Sequence, residues 1–211
     1  MRKWYPPILI AAMFIVSIAV YSRLPDIMPT HWNVKGEVNG TGPKWIGAFA
    51  MPIVMLVLWG VMRGLPAIDP QRDNYAKMQK AYALIINALV TTFAVLHIAM
   101  IAVALKYPVP LERLVPAMIG IMLIVTGNVL PQARRNWFFG VRTPWTLSND
   151  RVWERTHRVA GYLTVITGVI ALVTALFPAS IGPAAIGIAG AATAVITITY
   201  SYIVWKREVA R

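Results

Sequence analysis

Six long apolar segments, none of them containing an acidic residue, constrain this chain more than any other feature. They span residues 6–21, 46–62, 81–105, 114–130, 159–177 and 183–205. A helix needs about 20 apolar residues to cross the hydrocarbon core of a bilayer, within a range of about 17–25. The first two segments are short by that measure and are expected to extend into their flanks. All eight acids (Asp26, Glu37, Asp69, Asp73, Glu112, Asp150, Glu154 and Glu208) lie outside the segments, as the cost of a charge in hydrocarbon demands. Hydrophobic residues make up 58% of the 211 residues, charged residues 13%, and mean hydropathy is +0.61, well beyond a soluble domain. The fold class expected is therefore all-α: a polytopic membrane protein with six transmembrane helices in one bundle. Arg2 and Lys3 precede the first segment as they would in a signal peptide, but it ends in AVYSRLP with no small-x-small cleavage site, so it reads as a retained helix.

The net charge of +12 would suggest nucleic acid in a soluble protein. In a membrane protein it first reports topology, because short cytoplasmic loops collect Lys and Arg. With both termini inside, the inner side carries Arg2, Lys3, Arg63, Arg72, Lys77, Lys80, Arg134, Arg135, Arg142, Arg151, Arg155, Arg158, Lys206, Arg207 and Arg211. The outer side carries Arg23, Lys35, Lys44, Lys106 and Arg113. Fifteen against five places the N-terminus and the C-terminus in the cytoplasm. It divides the chain into an N-terminal two-helix region, 1–80, with an outer loop, and a four-helix region, 81–211, with a basic cytoplasmic loop, 131–158. The absence of cysteine removes disulfides, thiolate chemistry and Cys-based metal sites. Small residues are expected to seat helix on helix, with Gly187 and Ala191 as one pair and Gly161 and Gly168, seven apart on one face, as another.

The outer loop, SRLPDIMPTHWNVKGEVNGTGPKW, is punctuated by Pro25, Pro29, Gly36, Gly40 and Gly42 and reads as a short ordered cap with little helix. Pro25, Pro29, His31, Trp32, Asn33 and Gly36 are its candidate functional residues, Trp32 suiting the water interface. Asp26, His31 and Glu37, with His97 in the outer half of the third segment, are the only histidine and carboxylate group near a metal set. No HExxH or paired-His spacing accompanies them, so no metal and no cofactor is expected. Asn87 and His97 are the notable polar groups at membrane depth.

The inner loop carries NWFFGVRTPWTLSNDRVWERTHR, four arginines and a histidine among five Trp or Phe residues. Asn128 and Pro131 end the fourth helix, and Ser148 or Asn149 can cap the fifth, with Asp150 in its first turn. A helix starting there sets Trp153, His157 and Gly161 on one face, and places Glu154 four residues before Arg158, the favourable order for an ion pair. Stacking aromatics beside cations suit single-stranded nucleic acid, but a loop tethered at both ends to a bilayer leaves little room for a groove, and the anionic inner leaflet accounts for the cations. No direct nucleic-acid contact is expected. The arginines and His157 could serve a membrane-embedded enzyme on a lipid or phosphate-bearing substrate, yet the chain has no Gly-rich phosphate loop, no GxSxG and no close acidic pair, and no catalytic residue is assigned. A small-solute transporter is the other alternative, disfavoured by spans without acids. Positive-inside composition does not explain RTPWTL, a rigid turn joining an arginine, two threonines and a tryptophan just before a helix cap.

These residues resemble a known pattern. Gly127 and Asn128, followed by P...RRNWFFGVRTPWTLSND..VWERTHR..G from Pro131 to Gly161, resemble the signature of the SdpI family of bacterial immunity proteins. The outer LPDIMPTHWNVKGEVNG with its following GPKW is similar to the N-terminal domain of unknown function often joined to it. The resemblance implies a multi-pass protein of the cell membrane, not an enzyme, that protects its producer from a secreted peptide toxin of the sporulation-delaying type met at the outer face. In such systems the immunity protein also signals, holding a small transcriptional repressor at the inner face. Matching the signature assigns Asn128, Pro131, Asn136, Gly140, Arg142, Thr143, Pro144, Trp145, Trp153, Thr156, His157, Arg158 and Gly161 as the inner candidate site. Membrane lipids, the toxin and a repressor are the partners it implies.

Overall fold

The computed structural model describes residues 3–33, 36–178 and 180–210. Of the cations counted for topology, Arg2, Lys35 and Arg211 lie outside them. In chain order the elements are α1 (Tyr5–Val20), β1 (Ile27–Trp32), β2 (Val38–Pro43), α2 (Lys44–Ile68), α3 (Asp73–Lys77), α4 (Gln79–Ala104), α5 (Leu111–Val129), α6 (Pro144–Ser148), α7 (Asp150–Thr174) and α8 (Gly182–Val209). Among the described residues, six helices are long and apolar enough to cross a membrane: α1 continued to Arg23, α2, α4, α5 continued to Gln132, α7 and α8. The bundle expected from the apolar runs is therefore present.

Its boundaries differ from the runs for physical reasons. α1 starts at Tyr5 with two prolines in its first turn, where the missing N–H groups have no intrahelical partner to lose. α2 grows from the expected 46–62 to 25 residues, passing Pro52 and Pro66 without ending, because packing and helical neighbours sustain a membrane helix across proline. α7 starts nine residues before its apolar run, at Asp150, where the Asn149 side chain accepts from the backbone N–H of Arg151 and Val152. The cap set its start; hydropathy alone did not.

α4 contacts α1, α2 and α5, and α7 contacts α5 and α8, so α4 and α5 join two helix groups. Gly161 and Gly168 meet partners at the same seven-residue spacing on α5. A Cβ on Gly127 would stand 2.7 Å from the Gly161 carbonyl oxygen, and one on Gly120 2.7 Å from that of Gly168. Close backbone approach of this kind supplies packing energy where lipid removes the hydrophobic drive between helices. The other expected pair behaves differently. A Cβ on Gly187 meets nothing within 4 Å and Ala191 is exposed, so this pair seats no helix of the same chain among the described residues.

The outer loop is a two-stranded antiparallel hairpin, running from Ile27 opposite Pro43 to Trp32 opposite Val38, with irregular register around His31. The cap expected there is ordered, but its strands were not foreseen. Pro29 is tolerated because a two-stranded sheet is all edge. Met28, fully buried, anchors the hairpin on Leu24, Ala48, Ile101 and Ala104. A Cβ on Gly47 would lie 2.7 Å from the Met28 sulfur, so glycine there lets the hairpin sit down on α2. The hairpin and the α4–α5 and α7–α8 connections form one end of the bundle; α3 and the loop from 130 to 149 form the other.

Candidate functional site

At the loop end the signature residues converge, chiefly on one another. Asn136 is fully buried. Its Nδ2 donates to the carbonyls of Arg134 (2.8 Å) and Phe139 (2.9 Å), and its Oδ1 accepts from the N–H groups of Phe138 (2.9 Å) and Phe139 (2.6 Å). One amide thus satisfies two donors and two acceptors of a backbone with no ladder of its own. His157, also fully buried, donates from Nδ1 to the Trp153 carbonyl at 2.8 Å and accepts at Nε2 from Val141 N–H at 2.9 Å. An imidazole that donates at one nitrogen and accepts at the other is neutral. It stacks on Trp153 at 4.0 Å between ring centroids, and Trp153 Nε1 donates to the Ala133 carbonyl at 2.9 Å. The expected Trp153, His157 and Gly161 face is real, and it pins the loop to α7.

RTPWTL gains a physical account. Thr143 caps α6 in a reciprocal box with Thr146, with Pro144 at the first helical position. Thr146 is fully buried and its hydroxyl donates to the Val141 carbonyl at 2.8 Å. Trp145 Nε1 donates to the Ser201 hydroxyl of α8 and its ring lies against Tyr202 and Trp205. The exposed Arg142 ties back to the Trp137 carbonyl at 2.7 Å. Gly140 has φ +113°, and a Cβ there would fall 2.2 Å from His157 Nε2, so only glycine passes the imidazole.

Not every signature residue joins this cluster. Asn128 is exposed and bonds back to the Ile124 carbonyl at 2.8 Å. Pro131 packs beside Gly161. Arg158 is exposed, without an ion pair among the described residues. Glu154 does not take Arg158 as the helical spacing suggested; it pairs with Arg134, across the loop. Thr156 is fully buried, and its hydroxyl has no partner among the described residues.

Sequence reasoning missed the tie between the two halves of the chain. Asp69, 3% exposed, accepts at Oδ1 from Gln71 N–H (2.7 Å) and at Oδ2 from the Tyr75 hydroxyl (2.8 Å) and the Trp137 N–H (2.9 Å). Burial, and then the Asp69 carboxylate itself, push the Tyr75 phenol above its ordinary range, so it stays a donor. Asn74 Nδ2 donates to the Arg135 carbonyl at 2.8 Å. Arg135 in turn pairs with Asp150 at 2.9 Å, and Glu208 of α8 receives Arg151 and Arg155 at 3.6 and 3.2 Å.

At the hairpin end, His31, Trp32, Asn33 and Gly36 line one cleft of about 650 Å³, whose floor comes from α2, α4, α5 and α8. Pro25 is exposed beside the strands and Pro29 lies within β1. Asp26, His31, Glu37 and His97 are not gathered: Asp26 pairs with Lys44 (3.4 Å), His31 Nδ1 bonds Asn39 Oδ1 (2.5 Å), Glu37 accepts from Asn33 (2.8 Å), and His97 Nε2 lies 2.9 Å from Ser17 Oγ. Among the described residues no group of three metal-ligating side chains forms. Ser17 donates to the Ala48 carbonyl at 2.6 Å, so His97 donates to Ser17, and the polar chain links α4, α1 and α2. Asn87, half-buried on α4, is remote from His97 by almost three helical turns.

Comparison with known proteins matches two separate stretches of the chain. Residues 8–56 match DUF1648, a domain of unknown function, and residues 132–203 match the SdpI/YfhL protein family. The chain is 28% identical over 170 residues to the immunity protein SdpI of Bacillus subtilis (strain 168), covering 81% of this chain and 79% of that one. No solved structure matches. The chain is therefore a multi-pass cell-membrane protein that is similar to the SdpI family over residues 132–203 and to a domain of unknown function over residues 8–56.

Proposed function

We propose that this protein confers immunity to a secreted peptide toxin that attacks the cell membrane. The observation that carries the reading is the similarity to an immunity protein across 170 residues, 81% of this chain. Both termini are cytoplasmic on this reading, the hairpin faces outward to the toxin, and the chain works as two regions, 1–80 and 81–211. A non-enzymatic role is supported by the loop's chemistry: His157 and Asn136 spend their polar atoms on the loop's own backbone, leaving neither free for proton transfer. The signature residues then act as a scaffold, with Arg142 and Arg158 the exposed cations that would dock a small repressor at the inner face.

Sensitive cells expressing the chain, challenged with peptides of the sporulation-delaying type, are expected to survive doses that kill the parent. Arg142→Ala with Arg158→Ala is expected to keep protection and lose toxin-dependent induction of a reporter under the chain's own promoter. No protection against any such peptide, at confirmed membrane abundance, would sink the immunity reading.

A further inference from the structure

The cleft beneath the hairpin has a chemistry of its own. Its walls are apolar, with Met100 on α4, Ile119 on α5 and Ile186 on α8, and its volume is that of a ligand pocket. Its rim is not apolar. Glu112, in the first turn of α5, lines the cleft, with its Oε2 within 3.5 Å of the Cβ position of Gly36. The helix N-terminus favours a carboxylate there, but Glu112 has no hydrogen-bond or ion-pair partner among the described residues. His31, opposite on the hairpin, donates from Nδ1 to Asn39, which leaves Nε2 as an acceptor on a cleft-lining side chain. The chain carries 20 Lys and Arg, and none of the described residues lining this cleft is one of them.

We infer that this cleft binds an apolar peptide segment bearing a cationic group, with Glu112 as its counter-charge and His31 Nε2 as a second acceptor. A carboxylate on an apolar wall, without a partner among the described residues, is complemented by an ammonium or guanidinium that can give it a charge-assisted hydrogen bond. A phospholipid fits less well, because its phosphate would enter a rim whose described residues offer two acceptors and no cation. Residues from both matched regions line the cleft, among them Thr30 and Trp32 from one and Thr174 and Pro183 from the other, so an occupant bridges them. That the peptide is the toxin rests on the immunity reading; that the cleft selects a cation does not.

The test uses the full chain in nanodiscs and a fluorescent twelve-residue Leu- and Ala-rich peptide with a free N-terminal amine, read by anisotropy. Saturable binding is expected, weakened at least tenfold by N-acetylation of the peptide and by Glu112→Gln, and lost in Ile119→Trp, which fills the cleft. Equal affinity for the amine and acetylated peptides, or for wild type and Glu112→Gln, overturns the proposal. So does full displacement of the peptide by phosphatidylethanolamine at equimolar amounts, which would make lipid the occupant. Amine-dependent binding by a chain that protects against no toxin sinks the immunity reading and leaves the cleft standing. Protection that survives Glu112→Gln, together with unchanged peptide binding, sinks the cleft and leaves immunity.

Discussion

Gly140 is where the loop's tolerance is smallest. Its φ of +113° lies where side chains are strained, and a Cβ would meet His157 Nε2 at 2.2 Å. Relieving the clash means breaking the Val141 N–H bond to His157, which leaves a buried donor and acceptor unpaired. Gly140→Ala is therefore expected to cost at least about 2 kcal/mol, seen as a lowered unfolding temperature of the detergent-solubilised protein; an unchanged temperature would show that the loop repacks freely. The glycine's presence was legible in the sequence, but its reason was not, because the imidazole it admits is 17 residues away. Asp69 was less legible still. It read as one more acid outside the spans, and its contact with the Trp137 N–H, 68 residues on, leaves no spacing in the chain. Glu154 shows the opposite failure: a good local rule offered Arg158, while the folded loop brought Arg134 nearer.

Helices were the most readable elements, since long acid-free runs admit few other folds in lipid. The hairpin was not, because its strands carry Pro29 and three glycines or prolines in β2 and show no alternation of apolar and polar residues. What holds it is Met28 packed on Gly47, a contact between a strand and a helix that strand propensity does not register. Helix pairing was legible by half: Gly161 and Gly168 were recognisable as a small-residue face, whereas their partners on α5 emerge only from the fold. The contrast makes a prediction at this scale. Gly127→Ala drives a Cβ to 2.7 Å from the Gly161 carbonyl and is expected to cost about 1–3 kcal/mol by forcing α5 from α7. Gly190→Ala, where nothing lies within 4 Å, is expected to change the unfolding temperature little. Equal effects of the two substitutions would mean that glycine on these helices acts through helix propensity and not through contact.

At the scale of the molecule, the two ends differ in kind. The loop end turns Asn136, Thr146 and His157 onto its own backbone and joins the halves through Asp69, while the hairpin end opens a cleft with unspent acceptors. Recognition at the hairpin and rigidity at the loop follow if the hairpin faces outward, an orientation that rests on the division of Lys and Arg between the loops. The chain's lack of cysteine makes the test direct. Val38, exposed on β2 at 45%, is suited to report the outer face. For the inner face the exposed Ser148 is suited, whereas its neighbour Asn149 caps α7 and loss of that side chain would cost about 1 kcal/mol. A membrane-impermeant maleimide added to intact cells is expected to label Val38→Cys and spare Ser148→Cys until the cells are opened. The reverse pattern would turn the molecule over, put the cleft in the cytoplasm, and leave a toxin arriving from outside to meet α3 and the loop end instead.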